Sequence, residues 1–247
     1  MFAYPGAEAP ALGPLDLELP AGRTIALVGE NGAGKSTLVK LLCKMYVASS
    51  GRILVDDVPL DRFEPESWRS RVAGAFQDFF RFEFRTRQSV GVGDLPHVDD
   101  DPAVVGAVQR AGAEDVVRAL VDGLDTQLGP TWPDGVDVSF GQWQKLALAR
   151  GFMRTEPLLL VLDEPTAALD AETEHALFER YAGAVRGDDA SGRITLLVSH
   201  RFSTVRMADL IVVIDGARVV EYGSHEELMA HRGTYAELYG IQATSYA

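Results

Sequence analysis

The segment Gly29–Thr37, which reads GENGAGKST, has the residue types of a loop that binds phosphate groups. It matches the pattern G-x-x-x-x-G-K-[ST], and it lies between a strand-like run, Thr24–Val28, and a helix-like run, Leu38–Leu42. Glycines let the backbone pass close to a ligand, and N–H groups at the start of a helix attract anions. The pattern therefore predicts a binding site for a nucleoside triphosphate. The residues of this site are Gly29, Glu30, Asn31, Gly32, Ala33, Gly34, Lys35, Ser36 and Thr37.

Three side chains at the end of the loop offer different chemistry. The ammonium of Lys35 can neutralise the β and γ phosphates, the hydroxyl of Ser36 can coordinate Mg²⁺, and Thr37 can bind near the α phosphate. The motif alone indicates a nucleoside triphosphate. It leaves a kinase, a GTPase, a helicase and a transporter motor open as alternatives.

Two adjacent acidic residues, Asp163 and Glu164, follow a run of five apolar residues, Leu158–Leu162. We interpret this run as a buried strand with both carboxylates at its end. Asp163 is predicted to hold Mg²⁺ through the water shell of the metal, as the second acidic element of a phosphate-loop site. Glu164 is predicted to polarise the attacking water as a general base.

Three apolar runs predict strands of one sheet, namely Thr24–Val28, Leu158–Leu162 and Ile194–Ser199. Each is followed by polar or glycine-rich residues and then by a segment compatible with a helix. This alternation is typical of a parallel sheet with crossover helices. Such open sheets bind ligands at the carboxyl ends of their strands, which is where the phosphate loop and the acidic pair lie.

Two further regions alternate like antiparallel strands, Phe2–Leu19 and Gly51–Leu60, whereas the middle of the chain lacks strong strand signals. We predict one α/β domain, a P-loop NTPase core with a mainly parallel sheet, an N-terminal antiparallel β subdomain and an inserted α-helical subdomain. Residues 1–86 and 156–247 are expected to form the core with its β subdomain. Residues 87–155 are expected to form the helical subdomain.

The C-terminal part of the chain carries a hairpin signal and a helix signal. The segment Leu210–Val220 predicts two strands joined at Asp215 and Gly216, a dipeptide suited to a tight turn. Ser224 and Glu227 have the spacing of a capping box, which predicts a helix that starts after Ser224.

Composition excludes several classes of protein. Acidic residues outnumber basic ones by 36 to 23, and a net charge of −13 repels the phosphates of nucleic acids, so we expect no nucleic-acid partner. The single cysteine, Cys43, cannot form an intrachain disulfide, which fits a reducing compartment. A spanning helix needs about 20 apolar residues, and Met1–Leu15 has no signal-peptide pattern. We therefore expect the chain to reach a membrane only through a partner.

A third motif, SFGQ at Ser139–Gln142, precedes the segment LDEPTAALD at Leu162–Asp170. With the phosphate loop ahead of both, the chain resembles the nucleotide-binding domain of ABC transporters. The resemblance covers essentially the whole chain, and the motifs stand in the order of the family. The signature here reads VSFGQ where the family usually has LSGGQ, so Phe140 replaces a glycine.

The resemblance implies that ATP and Mg²⁺ are the ligands and that two such domains pair head to tail. Ser139, Gly141 and Gln142 stand at the start of a predicted helix, Gln142–Met153, whose N-terminal end is suited to an anion. In the family this end contacts the γ phosphate held by the other subunit. A symmetric pair makes that contact twice.

Four more positions match functional residues of the family. Tyr4 corresponds to the aromatic residue that stacks on adenine, and Gln77 to the glutamine that contacts Mg²⁺ and the water. His200 corresponds to the histidine that contacts the γ phosphate and orders the catalytic water. Asp170 corresponds to the loop residue that crosses the dimer interface. The resemblance thus implies that Glu164, His200, Gln77 and Lys35 carry the hydrolysis.

Three segments, Ser49–Leu60, Gly123–Gly129 and Gly223–Tyr239, resemble the exporter type in particular. The resemblance implies a partner formed by the transmembrane domains of an exporter and a position at the cytoplasmic face of the cell membrane. Because exporters carry these domains ahead of this one, we expect the chain to be a truncated or separately expressed domain. The stretch Pro130–Asp137 stands where exporters usually have an acidic, glycine-containing loop that contacts the membrane domain.

Three alternatives stay open at this point. A soluble ABC ATPase of DNA repair or translation would carry a long coiled coil or a second ATPase domain, and the sequence has neither. A non-hydrolysing regulatory partner in an asymmetric pair is disfavoured by Glu164 and His200, and is favoured by Phe140. A small-molecule kinase disagrees with the signature and with the order of the motifs.

Overall fold

The computed structural model describes residues 1–164 and 192–245, with side chains described up to residue 242. These residues form two compact units. Unit 1 consists of Met1–Val72, Leu158–Val161 and residues 192–245, and unit 2 of Ala73–Pro157 with residues 162–164. The predicted division at residues 87 and 155 stays a prediction.

The strands agree with the predicted α/β class. The main sheet has six strands in the order β4-β5-β6-β1-β7-β8, and β2 and β3 form a separate hairpin. Strand β1 pairs in parallel with β6 and β7, and β7 pairs antiparallel with β8. The prediction of a mainly parallel sheet is therefore confirmed. The strands are β1 (Thr24–Val28), β2 (Leu54–Val55), β3 (Val58–Pro59), β4 (Val72–Ala75), β5 (Leu159–Asp163), β6 (Ile194–Val198), β7 (Leu210–Asp215) and β8 (Arg218–Gly223).

Strand β1 is the centre of the core of unit 1, because it has a neighbour on each side. All of its residues are buried, and Ala26 lies opposite Leu197 of β6 and Ile211 of β7. A strand covered on both faces reads as a continuous apolar run rather than an alternating one. This is why β1, β5 and β6 could be predicted within one residue of their observed ends.

The middle of the chain is helical, as predicted, and forms most of unit 2. Helix α6 contributes buried Trp143, Leu146 and Leu148, and it packs against α3 and α4. The helices of the described chain are α1 (Lys35–Leu42), α2 (Pro65–Arg69), α3 (Thr86–Gly91), α4 (Asp101–Arg110), α5 (Glu114–Ala119), α6 (Phe140–Gly151), α7 (Phe202–Val205), α8 (His225–His231) and α9 (Thr234–Ser245). Among the residues described, no helix has the length and apolarity needed to span a bilayer.

The antiparallel segments near the N-terminus are shorter than the alternation suggests. Residues 2–19 contribute one bridge, between Phe2 and Leu12, and the second segment contributes the two-residue strands β2 and β3. Prolines explain the difference at the N-terminus. Pro5, Pro10 and Pro14 have no N–H group to donate to a strand ladder.

The C-terminal hairpin and the helix after it are present, with the turn one residue later than the predicted Asp215 and Gly216. Asp215 pairs with Arg218, which leaves a two-residue turn of Gly216 and Ala217 with φ values of 51° and 64°. Positive φ at both positions is typical of the type I′ turn, whose twist matches that of the strands. Helix α8 follows with Ser224 as its N-cap in a complete capping box.

Candidate functional site

Two glycines of the phosphate loop are required by its backbone path. Gly29 follows β1 with a φ of 152°, and a Cβ atom there would overlap the carbonyl oxygen of Ile214. Gly34 ends the loop with a φ of 109°, and a Cβ atom there would lie 2.8 Å from Leu12 Cδ1 and 2.9 Å from the carbonyl oxygen of Ala11. A side chain at either position would have to displace backbone, so the loop takes this path only with glycine.

The loop leads directly into helix α1, whose N-terminal end lacks a side-chain cap. Gly34 is the N-cap residue, no described side chain bonds the first N–H groups, and the first turn has no acidic residue. The open N–H groups and the helix dipole together favour an anion at this end. The Ser36 side chain is exposed there. Of the other loop residues, Glu30, Asn31 and Gly32 are exposed, and Ala33, Lys35 and Thr37 are buried.

The ammonium group of Lys35 lies inside the loop that precedes it. Its Nζ atom donates hydrogen bonds to the carbonyl oxygens of Gly29, over 2.7 Å, and Glu30, over 3.0 Å. The side chain is only 6% exposed. Charge-assisted hydrogen bonds to phosphate oxygens are strong, so a phosphate group would bind well to this ammonium. This arrangement suits a phosphate at the mouth of the loop.

Tyr4 lies beside the helix that follows the phosphate loop. Its hydroxyl is hydrogen-bonded to Thr37 Oγ1 over 3.2 Å, and its ring meets the rings of Phe2 and Tyr46 at centroid distances of 4.9 and 5.4 Å. Lys40 Nζ lies 5.9 Å from the centre of the Tyr4 ring. The structure thus brings Tyr4 to the end of the phosphate loop.

His200 follows the carboxyl end of β6, with Ser199 between them. The hydroxyl of Ser199 accepts a hydrogen bond of 3.0 Å from the N–H of Arg201. The backbone carbonyl of His200 accepts a hydrogen bond from Gln242 Nε2, and the N–H of Phe202 donates to Gln242 Oε1 over 3.0 Å. The imidazole is half-buried at a strand end, the position that open sheets use for ligands.

The signature segment forms the N-terminal end of helix α6. Ser139 Oγ accepts a hydrogen bond of 3.3 Å from the N–H of Gln142, and Gln142 Oε1 accepts one of 2.8 Å from the N–H of Ser139. The helix starts at Phe140, so the predicted start at Gln142 was two residues late. Gly141 falls inside the first turn. This reciprocal cap orders the serine and leaves the N–H groups of Phe140 and Gly141 at the dipole end.

Phe140, the residue that departs from the family signature, is 52% exposed. Its ring centroid is 5.5 Å from that of Phe79, and the guanidinium of Arg81 lies 5.4 Å from it. Phe79 comes two residues after Gln77, whose side chain is exposed. Within unit 2, the segment that carries Gln77 is therefore packed against the start of the signature helix.

Asp163 and Glu164 stand at the end of β5, as predicted. Asp163 is the last residue of the strand and is 8% exposed. Glu164 follows with a φ of 46°, a backbone conformation that is uncommon outside glycine. Asp170, expected at the dimer interface, lies outside the described residues.

Sequence reasoning missed an aromatic surface in unit 2 and the contacts that hold it. We call Phe80, Phe84 and Trp132, which are 69%, 42% and 51% exposed, the aromatic patch. Trp132 Nε1 donates to the carbonyl of Glu83 over 2.8 Å, and Arg150 Nη1 donates to the carbonyl of Phe80 over 3.0 Å. Burial lowers the pKa of Arg150 to about 10, so this arginine stays charged at neutral pH. The run FFRFEF around these residues was the signal available in the sequence.

Each unit holds its own part of the predicted site. Unit 1 holds Tyr4, the phosphate loop and His200, whereas unit 2 holds Gln77, the signature residues, Asp163 and Glu164. Within unit 1 the structure joins Tyr4 to Thr37, and within unit 2 it joins Ser139 to Gln142.

Several curated proteins that are similar to this chain carry the same description. The chain is 40% identical to an ATP-dependent lipid A-core flippase of Burkholderia orbicola over 241 residues, which is 98% of this chain and 39% of the flippase. It is 37% identical to the protein of that name from Escherichia coli, again over 98% of this chain and 40% of the relative. The chain thus spans about two fifths of the length of these relatives.

Among solved structures, a bacterial Atm1-family ABC exporter with ATP bound matches with a TM-score of 0.87 and 32% identity. The match covers 98% of this chain and 40% of the exporter chain. The family model described as ABC transporter matches residues 12–167, more than half of the chain. The family predicted from the motifs is confirmed, and the chain belongs to the ABC transporter family.

Proposed function

We propose that this chain binds ATP and hydrolyses it as the nucleotide-binding domain of an ABC exporter. The observation that carries the proposal is the phosphate loop, where the N-terminal end of helix α1 has no side-chain cap and the Lys35 ammonium is hydrogen-bonded to a carbonyl group of the loop. Tyr4, hydrogen-bonded to Thr37 at the end of that loop, offers an aromatic ring for the base of the nucleotide. The Atm1-family exporter that this chain resembles has ATP bound.

A magnesium ion belongs to the same proposal. Mg²⁺ prefers oxygen ligands, and each unit offers one of them, the exposed hydroxyl of Ser36 in unit 1 and the carboxylate of Asp163 in unit 2. Gln77 would add an amide oxygen. When bound, the metal would neutralise charge on the phosphates as the terminal phosphate leaves.

The proposed reaction is an attack of water on the γ phosphate. Glu164 accepts a proton from the water as general base, while the bond from the γ phosphorus to the bridging oxygen breaks and ADP carries the charge away. His200 orients the water and the γ phosphate, and Lys35 binds the charge that develops on the leaving group. Gln77 would help to hold the metal and the water.

A second copy of the chain completes each site in this proposal. Ser139, Gly141 and Gln142 of one copy cap the γ phosphate that the phosphate loop of the other copy holds, and Asp170 crosses the interface. The dipole end of α6 favours this charge. Loss of the phosphate removes the attraction, so the pair opens after hydrolysis.

The remaining partner is a set of transmembrane exporter domains, which hold the chain at the cytoplasmic face of the membrane. Two observations support this. The flippase relatives are about two and a half times as long as the region they share with this chain, since that region is 39% to 40% of them. The aromatic patch, with Phe80 69% exposed near Gln77, offers an apolar surface of the kind that binds other proteins.

Phe140 favours a second candidate, a regulatory partner that binds ATP without hydrolysing it. Its exposed ring stands where the family usually has glycine, at the helix end proposed to approach the nucleotide. A hydrolysis measurement on the isolated chain separates the two candidates, because only the first releases phosphate.

The test of the proposed function is the variant Glu164→Gln. An amide cannot accept the proton of the water, so we expect ATP hydrolysis to fall at least about 100-fold while ATP affinity stays within about threefold. Phosphate release and calorimetric titration measure the two quantities separately.

Glu156→Gln is the matched control, since Glu156 is an exposed carboxylate that lies shortly before β5, whereas Glu164 follows that strand. We expect its hydrolysis rate to equal that of the parent chain. A Glu164→Gln rate within a few-fold of the parent would remove Glu164 from the role of base.

A further inference from the structure

Helix α9, near the C-terminus, is hydrogen-bonded to the turn that carries His200. The amide of Gln242 makes two hydrogen bonds there, donating from Nε2 to the carbonyl oxygen of His200 and accepting at Oε1 from the N–H of Phe202 over 3.0 Å. The three residues belong to unit 1. The two bonds hold the peptide groups on either side of Arg201, so they restrict the direction in which the His200 side chain leaves the backbone.

Ring contacts hold the same turn from the side. Phe202 meets Tyr235 and Tyr239 of α9 edge-on, at centroid distances of 5.4 and 5.3 Å. Edge-to-face pairs of this geometry add stability and fix the relative orientation of the rings. Tyr235 is completely buried and is hydrogen-bonded through its hydroxyl to His225 Nδ1 over 2.8 Å.

The N-terminal end of α9 is fixed independently. The carboxylate of Glu221, on strand β8, accepts hydrogen bonds from the N–H groups of Thr234, over 2.7 Å, and Tyr235, over 2.9 Å. A carboxylate at this end also interacts favourably with the helix dipole. Helix α9 is therefore anchored at its start to strand β8, through contacts separate from those that Gln242 makes.

We propose that Gln242 is a positioning residue for His200, and that helix α9 thereby sets the rate of hydrolysis. The inference rests on the proposed role of His200 in orienting the water and the γ phosphate. If the carbonyl of His200 and the N–H of Phe202 lost their shared partner, the turn would have more than one conformation. Misplacement of a positioning group by about 1 Å can cost on the order of 100-fold in rate.

The experiment compares Gln242→Ala and Gln242→Glu with the parent chain in steady-state ATP hydrolysis. Alanine removes both hydrogen bonds, and glutamate keeps the size and one acceptor while it sets a second oxygen against the carbonyl of His200. We expect kcat to fall roughly tenfold or more in both variants, with the KM for ATP within about threefold. Ile241→Ala, on the 68% exposed neighbour in the same helix, is the control and should keep the parent kcat.

A double variant separates positioning from general stability. If Gln242 acts through His200, then adding Gln242→Ala to His200→Ala lowers kcat no further. If the contacts of Gln242 were purely structural, their loss would lower the melting temperature and leave kcat unchanged. A kcat within twofold of the parent in both Gln242 variants would overturn the proposal. So would a loss that adds fully to that of His200→Ala.

If the proposed function itself were wrong, the experiment would give results different from those that contradict only the role of Gln242. In that case the parent chain itself would release no phosphate, or His200→Ala would hydrolyse ATP at the parent rate. Either result removes the role of His200 and with it the inference about Gln242.

Discussion

Lys35 is the residue on which phosphate binding depends most. The residue is 6% exposed, and its ammonium donates hydrogen bonds to the carbonyl oxygens of Gly29 and Glu30. Neutral carbonyl groups are weaker partners for a cation than phosphate oxygens are. The loop thus places an ammonium group where the phosphates of a ligand can bind it.

We predict that Lys35→Ala weakens ATP binding about 10- to 100-fold, because a hydrogen bond to a charged group contributes roughly 1.5–3 kcal/mol. Calorimetric titration of ATP measures the change. Lys145→Ala is the matched control, since that lysine forms an ion pair of 2.8 Å with Asp115 in unit 2. Equal affinities for Lys35→Ala and Lys145→Ala would count against the phosphate site.

Short motifs made the residues of the phosphate loop predictable, but no motif could predict the contact between Gln242 and His200. Gly29, Gly34 and Lys35 act through backbone and neighbours within the same loop, so their spacing is a local signal. Gln242 meets His200 from 42 residues away in sequence. Nothing around Gln242 in the sequence indicates that contact, because it depends on how α9 packs against the turn.

Two helices show how an N-terminal capping box determines the residue at which a helix starts. Helix α6 was expected to begin at Gln142 and begins at Phe140, because Ser139 is the N-cap of a capping box. Glycine disfavours helix interiors, yet Gly141 is in the first turn, where the cap outweighs its propensity. Helix α8 has the same device at Ser224, and its start was predicted correctly because Glu227 completes the pattern.

Helix α8 also carries a group that should make stability depend on pH. Burial and the charge of Arg206 lower the pKa of His225 from its ordinary value of 6.5. The folded chain then binds this proton less readily than the unfolded chain, so the contribution of neutral His225 is lost as pH falls through about 6.5. We predict that the melting temperature falls between about pH 7.5 and 5.5.

The variant His225→Gln isolates this effect from other titrating groups. Glutamine does not titrate and can still accept a hydrogen bond from Tyr235, whose hydroxyl stays protonated because burial raises its pKa. The fall in melting temperature should be smaller in the variant. An identical fall in both proteins would show that His225 does not contribute.

At the scale of the whole molecule, the order of strands and helices could be predicted better than the division of the chain into subdomains. Strands β1, β5 and β6 are buried on both faces, so their apolar runs identify them. The N-terminal antiparallel region could not be judged from alternation alone, because its prolines leave only the bridge between Phe2 and Leu12. The aromatic patch was also missed, since exposure depends on tertiary structure.

Pairing of two copies is the property that follows from the whole account, because it needs the phosphate loop of one copy and the signature helix of the other. Glu164→Gln is the useful background, since ATP should bind without being consumed. Adding Ser139→Ala removes the proposed contact with the γ phosphate. Ser224→Ala is the matched control, because it removes an equivalent helix cap, on α8, outside the proposed site.

The decisive measurement is sedimentation of these three proteins with saturating ATP and Mg²⁺. We predict a dimer for Glu164→Gln and for Glu164→Gln with Ser224→Ala, and a monomer once Ser139→Ala is added. A Glu164→Gln chain that binds ATP in calorimetry and dimerises equally well without Ser139 would contradict the account.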